Sequence, residues 1–84
     1  IRMHQEREYP ARVSGSTLAN PDFVALARAY GYAAERVAAT ADFEPALRRA
    51  LAHPGGTVIV VPLDPEVITT RGTLSAIRQA ALQR

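Results

Sequence analysis

No cysteine occurs in the 84 residues, so disulfides, thiolate nucleophiles and cysteine-bound metals are excluded. The same absence suits a cytoplasmic protein. Lysine is missing as well: all ten basic side chains are arginine. No apolar run approaches the length needed to cross a membrane, and no signal-peptide pattern opens the chain, so no membrane partner is expected. A large charge of either sign is also lacking. The net charge is +2, and the arginines are scattered among eight acids without forming a basic block. The isoelectric point of about 9.7 partly reflects the high pKa of arginine. Nucleic acid is therefore not an expected partner.

What is present is a globular composition, 48% hydrophobic and 21% charged. Eighty-four residues make one small domain, whose stability without partners is marginal. The chain opens on Ile1 rather than methionine. It is expected to start inside a strand, as a C-terminal fragment of something longer.

The stretch NPDFVALARAYG, residues 20–31, organises the rest. Asn20 is placed as the N-cap, Pro21 at the first helical position and Asp22 near the positive end of the helix dipole. Phe23, Leu26, Ala27 and Tyr30 form one apolar stripe, and Gly31 suits a left-handed C-cap.

Before this helix, residues 1–3 read as a strand end and residues 4–8 as a turn or short helix. Tyr9-Pro10 stops that segment. Residues 12–19, with Ser14, Gly15, Ser16 and Thr17, read as a mobile loop. After the helix, residues 32–38 read as a short strand with Glu35 and Arg36 at its exposed end. Thr40 or Asp42 caps a second helix reaching about His53. That helix has Phe43, Leu47, Ala50 and Leu51 on one face and Pro45 confined to its first turn. His53-Pro54-Gly55-Gly56 makes a tight connection. TVIVV, residues 57–61, is β-branched and apolar on both faces, as in a parallel strand buried between helices. Thr73 caps a last helix with Leu74, Ile77, Ala81 and Leu82 inward.

The alternation predicts an α/β fold, a parallel sheet with flanking helices. Residues 1–84 form a single domain fragment: 1–19 a strand end and loop, 20–84 an αβαβα unit. Helices on both faces demand more strands than the chain supplies.

Few residues carry chemistry. His4, just after the expected strand end and near Gln5, Glu6 and Glu8, is an acid–base candidate. His53 reads as a helix-end residue. Asp64 and Glu66 read as a turn that caps the next segment. No metal-ligand spacing occurs, and no catalytic residue is assigned. Gly55-Gly56 precedes a strand, so it is no phosphate loop, and the Ser14–Thr17 loop lacks the glycine spacing and lysine of one. Ser14, Ser16 and Ser75 have no triad partners.

NPDFVALARAYG, a short strand, DFEPALRRAL and GTVIVVPLDPE, preceded by IRMHQEREYPARVSGSTLANPDF, together resemble the C-terminal part of the cofactor-binding domain of thiamine-diphosphate-dependent enzymes. The nearest groups are acetolactate-synthase-like enzymes and 2-oxo-acid decarboxylases. The resemblance spans almost the whole chain. It implies a partial thiamine-diphosphate-binding fold, Rossmann-like and three-layered, in which the reaction belongs to the cofactor. It further implies thiamine diphosphate and Mg²⁺ in the parent enzyme, neither held by the isolated fragment, because the GDG sequence and downstream asparagine that bind them are absent here. Ile1 resembles the apolar residue lining the cofactor pocket. Arg2 falls beside it at a substrate-facing position, where an arginine holds a carboxylate but moves no proton at neutral pH. His4 and Gln5 fall in the segment that closes over the substrate, though without the aromatic side chains of true acetolactate synthases. The remainder of the parent chain, in a homodimer or homotetramer, is the implied partner. The rival reading is a self-contained, non-catalytic α/β interaction module.

Overall fold

A computed structural model describes all residues, Ile1–Arg84. The chain folds into two compact units. One comprises Ala19–Pro62; the other joins Ile1–Leu18 to Leu63–Arg84.

The Ala19–Pro62 unit is a two-stranded parallel sheet with helices packed on it. Helix α2, Phe23–Ala29, starts later than expected: its N-cap is Asp22, whose carboxylate accepts the Ala25 N–H at 3.0 Å. Asn20 is not the cap, and Pro21 lies outside the helix. A charged acceptor at the positive helix end outcompetes the neutral amide two residues earlier. The other end is as expected. Gly31 takes φ +81°, the Tyr32 N–H bonds the Ala27 carbonyl at 3.1 Å, and the Gly31 N–H bonds the Arg28 carbonyl at 2.9 Å. These two bonds satisfy carbonyls that the helix would otherwise leave open. Nothing lies within 4 Å of where a Gly31 Cβ would be. Gly31→Ala therefore costs backbone strain alone, and chemical denaturation followed by circular dichroism is expected to show a loss of about 1 kcal/mol.

Strand β1, Ala33–Arg36, pairs in parallel with β2, Thr57–Val60, in the register Ala33↔Thr57 to Arg36↔Val60. The ladder continues with Val37 N–H on the Val60 carbonyl at 2.9 Å. Between the strands lie a 3₁₀ turn, Thr40–Asp42, and helix α3, Phe43–Ala52. Pro45 sits in the first turn, as it must. Asp42 holds the N-cap position without a side-chain capping bond.

Two burial expectations fail here. First, β2 is not buried on both faces: Val58 is 37% exposed and Val61, just past the strand, 47%. A parallel strand becomes fully buried only with neighbours on both edges and cover on both faces, and β2 has one neighbouring strand. Second, the inner face of α3 is displaced from the expected stripe. Ala46, outside the stripe, is fully buried and Ala50, within it, is half-buried, whereas Leu51 at its far edge is 78% exposed. Close approach of the helix to the sheet selects the small side chain.

In the other unit the chain starts in a helix, not a strand end. Helix α1 spans Arg2–Glu8. The Ile1/Met3 alternation is too short to specify a strand, and the RMHQERE run is made mostly of good helix formers. Tyr9, before Pro10, ends the helix as expected. Helix α4, Leu74–Leu82, is capped by Thr73, whose hydroxyl accepts the Ala76 N–H at 3.1 Å. Leu74 is its buried residue, and Leu82 faces outward. α4 packs on α1. Residues 20–84 are therefore not one αβαβα unit, because α4 belongs with the N-terminal segment.

Candidate functional site

Four side chains of the N-terminal segment are the sequence's site candidates, and the structure joins two of them. Arg2 and Gln5 lie one turn apart on α1, so both reach the loop that follows. The Arg2 Nε–H donates to Ser16 Oγ at 2.7 Å and its Nη2 donates to Thr17 Oγ1 at 2.8 Å. The Ser16 hydroxyl donates onward to Gln5 Oε1 at 2.6 Å, and Gln5 Nε2 donates to the Ser14 carbonyl at 2.7 Å. The loop read as mobile is thus tied to the helix by a hydrogen-bond chain with a single direction.

Ile1 and His4 stand outside this chain. Ile1 is 90% exposed, its carbonyl accepting the Gln5 N–H at 3.0 Å. His4 is exposed. The acid–base grouping around His4 loses Glu6, which is fully buried and bound to Arg78 through Arg78 Nε at 2.8 Å and Nη2 at 2.6 Å. It also accepts the Ala11 N–H at 3.0 Å. The Arg78 hydrogen bonds, the Ala11 N–H and the positive charges of Arg78 and Arg2 outweigh burial. Together they lower the Glu6 carboxyl from 4.5 to about 2. Glu6 stays ionised and structural.

Beside Arg2, Ser16 and Thr17 opens a cavity of about 330 Å³. Its remaining walls are Leu18, Pro65, Ile68 and Leu74. Ser16 and Thr17 are the site residues that sequence reasoning missed. By pattern the Ser14–Thr17 segment reads as a mobile loop without phosphate-loop spacing, while in the structure its hydroxyls serve an arginine 14 and 15 residues earlier.

The other candidates resolve into structure. The His53 Nδ1 accepts the Gly55 N–H at 3.1 Å, closing the turn after α3. Asp64 accepts the Glu66 N–H at 3.0 Å, and the Glu66 carboxylate takes both the Ser75 N–H and its hydroxyl. A Cβ on Gly56 would lie 2.5 Å from the Tyr32 ring, so that glycine serves close packing. No three His, Asp or Glu side chains gather where a metal ion would fit.

A family model described as the C-terminal TPP binding domain of thiamine pyrophosphate enzymes matches residues 1–61. The match takes in α1, the Ser14–Thr17 loop and both strands, and ends before α4. No solved structure matches the chain significantly.

Proposed function

We propose a function from one premise: the chain belongs to the family of the thiamine pyrophosphate enzyme C-terminal TPP binding domain. It is part of an enzyme that uses thiamine diphosphate to decarboxylate 2-oxo acids or to form carbon–carbon bonds with them, in the manner of acetolactate-synthase-like enzymes. The observation that carries this reading is the family match across the whole IRMHQ segment and the sheet. The chain's part is a wall of the pocket: the exposed Ile1 toward the cofactor, and Arg2, Gln5 and His4 toward the substrate.

These residues do not by themselves fit the cofactor's diphosphate or a metal. There is no cluster of metal-ligating side chains, and no glycine-rich turn joins a strand to a helix N-terminus. We place the ligands of the diphosphate and Mg²⁺ outside the 84 residues, as the family resemblance implies, and assign no step of the reaction to this chain alone. The remainder of the parent protein is also the natural partner for the apolar groove of about 400 Å³ between α2 and the sheet, lined by Phe23, Leu26, Tyr30, Tyr32 and Val58.

The test is turnover of a 2-oxo acid panel by the protein that carries this chain, with thiamine diphosphate and Mg²⁺ supplied. Consumption of at least one acid is expected, and none with the 84 residues alone. A protein that binds thiamine diphosphate yet leaves every 2-oxo acid unchanged would sink the reading.

A further inference from the structure

We propose that the cavity beside Arg2 binds the carboxylate of a short aliphatic acid, with Ser16 and Thr17 as the residues that position the guanidinium. This deepens the proposed function, and it rests on that reading only in calling the acid a substrate; the binding rests on geometry.

The first argument is charge. Three arginines are neutralised by direct contact with carboxylates: Arg48 by Glu44, Arg49 by Glu35 and Arg78 by Glu6. Arg2 is held by two neutral hydroxyls instead. The nearby Glu6 carboxylate is occupied by Arg78 and the Ala11 N–H, so it does not contact Arg2. A half-buried guanidinium with no carboxylate in direct contact keeps donors open to one.

The second argument is order. A flexible arginine loses much rotamer freedom when it clamps a ligand. Here that loss is taken in advance. The Ser16 proton is committed to Gln5 Oε1, which turns a lone pair of Ser16 toward Arg2 Nε. Thr17 adds a second fixed acceptor. The fork retains Nη1 and one Nη2 proton, and the Thr17 hydroxyl proton is unused by the protein. Together these donors suit the two oxygens of a single carboxylate.

The third argument is shape. Away from Arg2 the cavity walls are Leu18, Pro65, Ile68 and Leu74, all apolar. Its volume of about 330 Å³ is at the small end of ligand sites. A second carboxylate or a phosphate dianion would meet apolar wall without a further cation, and that desolvation is unfavourable. A short hydrocarbon tail removes that wall from water instead.

The experiment is a titration of the ¹⁵N-labelled chain with 3-methylbutanoate, followed by NMR. Saturable shifts at Arg2 Nε–H, Ser16 and Thr17 are expected, with a Kd on the order of millimolar for so small a ligand. The neutral amide of the same acid should not saturate, and succinate should bind more weakly. Thr17→Val, at an exposed position, should weaken binding at least about tenfold, the effect of one charge-assisted hydrogen bond, with the circular dichroism spectrum unchanged. Arg2→Gln should abolish binding. Equal shifts from acid and amide, or undiminished binding by Arg2→Gln, would overturn the proposal. A folded chain with no saturable carboxylate binding overturns this site and leaves the family-based function standing. Carboxylate binding in a parent protein that turns over no 2-oxo acid does the reverse.

Discussion

Replacing Glu6 by alanine is expected to lower the thermal unfolding midpoint by more than about 10 °C, the scale at which a small domain loses a buried ion pair. Glu6 is wholly buried and carries both ends of a bidentate contact with Arg78, which lies 72 residues away in sequence. Removing the carboxylate strands the half-buried guanidinium and frees Ala11. Ala11 holds φ +60°, a left-handed conformation uncommon outside glycine, while Glu6 accepts its N–H. Removing Arg78 instead leaves a buried carboxylate without its counterion, so Arg78→Ala should be comparably severe. The double replacement Glu6→Leu/Arg78→Leu should recover part of the loss, because the desolvation penalty disappears with the charges. The pH dependence has a definite sign. The folded-state carboxyl is depressed from 4.5 to about 2. Its contribution to stability is therefore present above pH 4.5 and lost progressively as pH falls through about 2. Midpoints measured by circular dichroism across that range should drop more steeply for the wild type than for Glu6→Gln. Parallel curves would contradict the assignment.

Ala46→Asp should be the second severe change. Ala46 has no exposed surface on α3, which packs on β2. An aspartate there places a carboxylate against the sheet with no partner, and a cost above about 3 kcal/mol is expected. Ala46→Leu tests the same spot by volume alone and should cost about 1–3 kcal/mol through overpacking. Leu51→Asp is the control on the same helix: with 78% of its surface exposed, it should shift stability by less than about 0.5 kcal/mol. The absence of tryptophan makes far-UV circular dichroism the practical readout in urea. If Leu51→Asp proved as damaging as Ala46→Asp, the face assigned to α3 would be wrong.

These two residues show where reading the chain by pattern reached its limit. The α3 stripe of Phe43, Leu47, Ala50 and Leu51 located the helix but not the centre of its inner face, which is Ala46. Periodicity reports where apolar residues recur, while burial depends on how closely the sheet approaches and how wide it is. The family resemblance pointed to Arg2 and Gln5 at the site. Their hydroxyl partners, Ser16 and Thr17, stayed invisible because a serine-rich loop looks the same whether or not it holds an arginine. The helical start of the chain was missed for a related reason: two apolar residues at spacing two fit a strand, but they also fit a short helix.

What the sequence determined by itself was local. Gly31, Thr73, Pro45 and Tyr9-Pro10 marked helix ends because caps and proline sterics act within one turn of the chain. The alternation of helical and β-branched segments likewise determined the α/β class with its parallel pair. Tertiary structure alone decided that α4 joins α1, that Glu6 is a buried structural anion, and that Arg2 is held by two hydroxyls beside an apolar cavity. Each of these outcomes depends on which groups compete for the same partner in space. Glu6 secures Arg78 across 72 positions, and Arg2, with that carboxylate already taken, turns to two hydroxyls.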